Sequence, residues 1–269
     1  MLYYKVRDGK VPLEREKSIM EELVLYFSLK YEGDFQSIYN ALINKEQVDE
    51  ELRQELKQKL KCSYTTVLSD DYPESLKIIN CPPFVLYYYG DLSLTKKKMI
   101  SIAGSREVTE YGKRATHYFA TEIANDYVIV SGMARGVDTI AHKSAIECKG
   151  KTIAVLGTGI EYCYPRENKV LYDKLKESHL VISEYPGLTP PQRKMFPFRN
   201  RIITGLSEKL IITESRQKSG TMITAGYALE QGKDIYCVPS PFDSNSNGCN
   251  ELIKQGAYIL SNIDDLEDD

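Results

Sequence analysis

Tryptophan is absent from this chain of 269 residues, histidine occurs only 3 times, and the 6 cysteines are scattered. Each scarcity excludes something. Cys62, Cys81, Cys148, Cys163, Cys237 and Cys249 form no CxxC pair, so the ligand spacing of a structural zinc site is missing. His117, His142 and His179 lie far apart, and no carboxylate cluster marks a metal-dependent nuclease. The dinucleotide fingerprint GxGxxG is also missing: AGSREVTEYG lacks it, and GTGIEY supplies only its first two glycines. No run approaches the roughly 20 apolar residues that span a bilayer. The opening MLYYKVRDGK has no apolar stretch of the signal-peptide kind. These absences lead us to expect a cytoplasmic protein with reduced thiols, no membrane association, no metal and no cofactor.

What is present is an ordinary hydrophobic content of 42%, 20 tyrosines, and an uneven distribution of charge. Net charge is −3, which taken alone argues against a nucleic-acid binder. Residues 1–95 carry 12 basic and 16 acidic groups (−4), residues 96–220 carry 21 and 13 (+8), and residues 221–269 carry 2 and 9 (−7). A basic middle between acidic ends can present a local anion-attracting surface. A solvated lysine face is the plain alternative for any one cluster, such as Lys96 to Lys98.

Three regions follow from the patterning. Residues 1–62 read as a small helical module. Ile19, Leu23, Tyr26 and Phe27 recur at helical spacing, Gly33 and Asp34 break the pattern, and further helices are predicted over about 35–43 and 46–60. Residues 63–98 are turn-rich, with strand-like FVLYYYG after Pro82 and Pro83, and read as a connector or an added sheet edge. Residues 99–269 alternate short apolar strands (MISIA, YVIV, TIAVL, LVIS, KLIIT, DIYCV) with segments that can hold helices. That rhythm predicts an α/β fold with a doubly wound, mostly parallel sheet.

Ligands of such sheets bind beyond the carboxyl ends of the strands, where helix N-termini point free N–H groups. Four strand ends here carry small residues: Gly104-Ser105-Arg106, Ser131-Gly132 followed by Ala134-Arg135-Gly136, Gly157-Thr158-Gly159, and Ser219-Gly220-Thr221 beside Lys218. Glycine lets backbone approach an anion closely, although strand-to-helix turns also favour it for steric reasons alone. Together the four predict a phosphate-binding rim. The segment PPQRKMFPFRNRIITGLS adds Arg193, Lys194, Arg199 and Arg201 around Phe196 and Phe198, a pairing of phosphate-gripping cations with base-stacking rings. The alternative is that both rings are core and the cations solvated. Asn200, placed near a helix start, reads as a cap or a ligand group. Pro165 suits a first helical turn, which brings Arg166 and Asn168 to the rim. His142 follows Asp138 by four on one helix face, a pair placed to orient the SGMARG turn.

Taken in order, AGSRE, SGMARGVD, LGTGIEYCYPRENK, ISEYPG, FPFRNRIITGLS, SGTMITAGYALEQGKDIYCVPSP and NGCNELIKQGA resemble the DNA-processing DprA (Smf) family, from about residue 66 to 260. Residues 72–90 resemble the extension that precedes the family's core. The resemblance implies an extended Rossmann-like domain that binds single-stranded DNA without chemistry, protects incoming strands in natural transformation, loads the RecA recombinase and works as a homodimer. By motif match it implies phosphate contacts from Arg106, Arg166 and Arg193 and a base stacked on Phe196, with Arg135, Arg199 and Arg201 as weaker carry-overs. The chain departs from the family pattern at Val238-Pro239-Ser240, where a VPG turn is usual. No winged-helix module of the kind many members carry after the core is expected in this chain, and its N-terminal helices match the family's variable module only loosely.

Two other readings compete. Nucleoside monophosphate phosphoribohydrolases of the lysine-decarboxylase-like family use a PGGxGTxxE loop. Here the stretch from Arg216 to Thr224 lacks the glycine pair and puts threonine where the acid is needed. Glu184 and Glu214 end strands near the rim, yet no nucleophile and base emerge beside them. The remaining reading is an interaction scaffold whose glycine-rich edge holds a small nucleotide.

Overall fold

A computed structural model describes residues 13–241 and 247–266. Three helices come first: α1 (Leu13–Lys30), α2 (Phe35–Ile43) and α3 (Glu50–Gln58). The third is shorter than its periodicity predicts because Asp49 caps it, accepting the Leu52 N–H at 3.0 Å. Strand β1 (Ser63–Thr66), the short helix α4 (Glu74–Lys77) and β2 (Val85–Gly90) follow. The remainder alternates: β3 (Met99–Ala103), α5 (Glu110–Ile123), β4 (Val128–Ser131), α6 (Val137–Glu147), β5 (Thr152–Gly159), α7 (Lys169–Ser178) and β6 (Leu180–Tyr185). Then come α8 (Met195–Leu206), β7 (Lys209–Ile212), α9 (Gly220–Glu230), β8 (Asp234–Cys237), α10 (Gly248–Lys254) and β9 (Tyr258–Ile259).

The strands form one 9-stranded sheet in the order β1-β2-β6-β5-β4-β3-β7-β8-β9. From β6 to β9 all pairs are parallel; β1 and β2 extend the β6 edge as antiparallel strands. The chain winds outward from β3 to β6, then crosses back through α8 to place β7 on the other side of β3. The crevice above β3 and β7 is therefore the topological switch point, where open α/β sheets bind ligands.

Alternate residues of each strand feed opposite faces, and both faces are covered. Val128, Val130, Ile153 and Val155 pack under Ile202, Ile203 and Leu206 of α8 and Leu76 of α4. On the same face, Leu210 and Ile212 meet Ala225 and Ala228 of α9. On the other face, Ile100, Ile102, Ile129 and Ile211 pack against α5 and α6, and Ala154 and Val181 against α7 and α1. Strands buried on both sides read as continuous apolar runs, which is why the sequence displays them. Helix α1 joins the α/β body directly: Val24 and Leu25 pack on Val85 and Tyr87, and the Tyr87 hydroxyl donates to Ser28 Oγ at 2.9 Å.

Candidate nucleic-acid interface

The switch-point crevice is a cavity of about 370 Å³, bordered by the turns after β3 and β7, the start of α6, and α8. Glu214, at the end of β7, fixes its lip. Its carbonyl accepts the Ser105 N–H at 2.8 Å, and its carboxylate accepts Thr109 N–H at 3.1 Å and Thr109 Oγ1–H at 2.7 Å. Thr109 in turn caps α5 through Gly112 N–H. The Ser105 hydroxyl donates to the Glu107 carbonyl at 2.6 Å, and its carbonyl accepts Val137 N–H at 3.1 Å. Gly104 and Gly136 are required here: a Cβ on Gly104 would lie 2.5 Å from Val137 Cγ2, and Gly136, at φ +73°, would meet the Ser105 carbonyl at 2.2 Å. The result is a rigid turn from which Arg106 projects into solvent.

Helix α8 supplies the opposite wall. Its first turn sets Phe196 beside Arg106, the guanidinium carbon 5.8 Å from the ring centroid. The Tyr164 ring centroid lies 5.4 Å from that of Phe196, the two rings tilted at 47°. Gly157 makes room for Phe196, since a Cβ there would come within 2.9 Å of the ring. The partly exposed pair Phe196 and Tyr164 is thus a platform flanked by an arginine that makes no ion pair among the described residues. Tyr164 was not singled out by sequence; a tyrosine in a YCYPR stretch carries no signal that its ring meets Phe196. Phe198 points elsewhere, toward Phe35 of the helical module, with ring centroids 6.1 Å apart. It lines a second cavity of about 600 Å³ with Asp34, Phe35, Tyr185 and Lys194.

The rim cations differ in state. Arg106, Arg166, Arg193 and Lys218 are exposed and make no ion pair among the described residues. Arg135 forms a two-point pair with Glu167, its Nη2 donating at 2.7 Å, and Lys194 pairs with Asp34 at 3.2 Å. Arg216, which the sequence reading passed over, crosses the crevice mouth to Glu107 at 2.8 Å. The N-terminus of α9, at Ser219, Gly220 and Thr221, opens on the crevice with no side-chain cap, as a helix end that receives an anion does.

Several expectations are corrected. Arg199 is 4% exposed. It donates from Nη1 to the Gly132 carbonyl at 2.7 Å and to the Val155 carbonyl, and it faces Asp138 across Gly132, where a Cβ would lie 2.5 Å from Nη2. Burial pulls its pKa down to about 10 and holds the Asp138 carboxyl above its ordinary value, each effect opposed by the charge of the other. Arg199 is therefore the floor of the crevice, not a surface contact. Arg201 is 1% exposed and is bound to Glu184 at 2.6 Å, to the Cys81 and Phe198 carbonyls at 2.9 Å and against the Phe198 ring. It does not reach the rim. Asn168 is buried and braces two segments, donating to Met133 O at 2.9 Å and Thr139 Oγ1 at 2.8 Å. Ser131 is likewise buried, its hydroxyl donating to Ile102 O at 2.7 Å.

Asn200 is not a cap, because α8 starts at Met195; it ties α8 to α9 through Thr224 Oγ1 at 2.9 Å. Gly157-Thr158-Gly159 continues β5 and is buried, so three turns, not four, open on the ligand side. His142 turns away from Asp138 to Thr152 Oγ1, 2.7 Å from Nδ1.

The doubly wound α/β domain, with Arg106, Lys218, an uncapped helix N-terminus and the Phe196 ring at its switch point, belongs to the Rossmann-like class. Comparison with known proteins makes the class specific. The family model for DNA recombination-mediator protein A matches residues 63–269, and the chain belongs to that family. It is 44% identical to the DNA processing protein DprA of Bacillus subtilis over 203 residues, 74% of this chain and 68% of that protein. Among solved structures it is similar to DprA of Streptococcus pneumoniae, with a TM-score of 0.78, 32% identity and coverage of 94% of each chain. It is also similar to DNA processing protein A of Helicobacter pylori, whose structure concerns its single-stranded DNA binding mode, with a TM-score of 0.69 and 34% identity over 76% of this chain and 93% of that one.

Proposed function

We propose that this DNA-processing family member binds single-stranded DNA along the lip of the switch-point crevice and does no chemistry on it. Phosphates lie on Arg106, Arg166, Arg193, Lys218 and the α9 N-terminus, and an unpaired base stacks on Phe196 and Tyr164. The observation that carries this reading is the unpaired Arg106 set against the Phe196 ring, which joins a phosphate grip to a stacking surface within one nucleotide's reach. Hydrolysis is the weaker reading because the two strand-end carboxylates are engaged elsewhere: Glu184 with Arg201 and Glu214 with Thr109. Protection of incoming strands, delivery to the RecA recombinase and action as a homodimer follow from the family and complete the proposal.

The test is a titration of labelled single-stranded and duplex oligonucleotides against wild type, Arg106→Ala and Phe196→Ala. Single strands bind more tightly than duplex and with little sequence preference. Phe196→Ala costs about 1–3 kcal/mol, and Arg106→Ala both weakens binding and shallows its salt dependence. Wild-type affinity in both variants, or equal duplex binding, would overturn the site. RecA filament assembly on a strand precoated with this protein, compared with bare strand, tests the delivery step.

A further inference from the structure

The switch-point crevice has more in it than internal phosphates of a passing strand would use. Its volume, about 370 Å³, lies within the range of small-ligand pockets, roughly 300–1,000 Å³, and its lining includes the apolar Ile102, Ala103 and Ile203 behind the polar lip. Room of this kind suits a sugar and base, not a phosphate alone. Thr221, in the first turn of α9, is 6% exposed and lines the crevice, yet its hydroxyl has no hydrogen-bond partner among the described residues. The hydroxyl oxygen is not sealed off as a buried orphan is, and the space open beside it is the crevice. Across the mouth, Glu107 from the turn after β3 holds Arg216 from the turn after β7 at 2.8 Å.

The charges favour one kind of phosphate. A phosphodiester inside a strand carries one negative charge, whereas a phosphomonoester carries about −1.5 to −2 near neutrality and presents three acceptor oxygens. Arg106, Arg216 and Lys218 converge on the crevice with the uncapped α9 N-terminus, more positive character than one diester balances. Glu107 competes for Arg216, so the anion that displaces it must offer more charge than a carboxylate does.

We propose that the crevice seats a nucleotide phosphomonoester, either the 5′-phosphate end of a strand or a free mononucleotide. The phosphate sits on Thr221, the α9 N-terminus and Arg216, and Glu107 is the strap it displaces. This deepens the strand-binding reading of the same lip, but it does not need internal phosphates to bind there.

Calorimetric titration of the full chain with dTMP, thymidine and inorganic phosphate is combined with anisotropy of a short oligothymidylate carrying a 5′-phosphate or a 5′-hydroxyl. We expect dTMP to bind and thymidine not to, and dTMP to compete with the oligonucleotide. The phosphorylated strand should bind about tenfold more tightly than the hydroxyl form, the worth of one charge-assisted hydrogen bond. Thr221→Val and Arg216→Ala should collapse that ratio toward one, and Glu107→Gln should tighten dTMP. Preference for the phosphorylated strand without dTMP binding assigns the seat to strand ends; dTMP binding with equal strands assigns it to the free nucleotide. No dTMP binding together with equal strands overturns the proposal and leaves strand binding standing, whereas dTMP binding with neither strand bound does the reverse. Discrimination that survives both Thr221→Val and Arg216→Ala also overturns it.

Discussion

Arg201 places a positive charge in the core beside Glu184, whose second oxygen, Oε2, has no hydrogen-bond partner among the described residues. Removing one member of such a pair strands the other in low dielectric, at a cost of about 3–5 kcal/mol. Arg201→Ala should lower stability by that amount in urea titrations while leaving the strand affinity of the folded protein nearly unchanged. A large affinity loss without destabilisation would return Arg201 to the interface. His142 offers a second test. Thr152 Oγ1 donates to Ile129 O at 2.8 Å, so the ring must donate from Nδ1, and its Nε2 is left buried without a partner among the described residues. Burial lowers the pKa of His142 from 6.5 to about 3, and burial with nearby Lys151 lowers that of His179 to about 4. Below pH 6.5 the unfolded histidines hold more protons than the folded ones, so acidification favours unfolding, by about 2 kcal/mol for His142 at pH 5. Asp138 and Glu184, with raised folded pKa values, act in the opposite direction. The difference between wild type and His142→Gln, measured by urea titration at pH 7 and pH 5, isolates the histidine; parallel profiles would refute the assignment.

At the scale of elements, α8 carries most of the design. Its inner face packs on Val128, Val130 and Val155, Asn200 ties it to α9, and its first turn holds Phe196 against Gly157. Gly157→Ala should therefore displace the ring. We expect about tenfold weaker strand binding, comparable to part of the stacking energy, with a smaller effect on melting temperature than Arg201→Ala. Oligonucleotide titration and calorimetry on the same sample check this. The strands from β3 to β8 were legible because burial on both faces makes each an apolar run. β1, with the polar sequence SYTT, and β9, with two residues, are too short or too polar to show any such run. The start of α8 was misplaced because arginines and asparagine interrupt its apolar pattern. That error is why Asn200 read as a cap. The glycines and arginines of the lip were readable as types, but which guanidinium faces inward depends on the helix phase. Arg199 and Arg201 are buried by contacts with Gly132, Glu184 and Cys81, residues distant in sequence. Glu107 gave no signal, since an acid beside an arginine on a turn looks like any solvated pair.

For the whole molecule, net charge is −3 while residues 96–220 carry +8, and two of the exposed cations of that segment that make no ion pair among the described residues, Arg106 and Lys218, line the switch-point crevice. If a strand is held as proposed, by Arg106, Arg166, Arg193 and Lys218, the slope of log affinity against log salt is expected at about −3, at roughly 0.7 per phosphate for single strands. Anisotropy titrations across a salt series measure it directly, and a flat response would remove the electrostatic part of the argument. Among the described residues no helix is long and apolar enough to cross a membrane.

Phe196 and Phe198 stand two residues apart on one helix, hence about 200° apart around its axis. One ring lines the switch-point crevice and the other is lodged against Phe35. Any small roll of α8 that seats Phe198 more deeply swings Phe196 out of line with Arg106. If a base is received there as proposed, the N-terminal helices, through Phe35 and the Asp34–Lys194 pair, would be a set-screw on its angle without touching the base themselves.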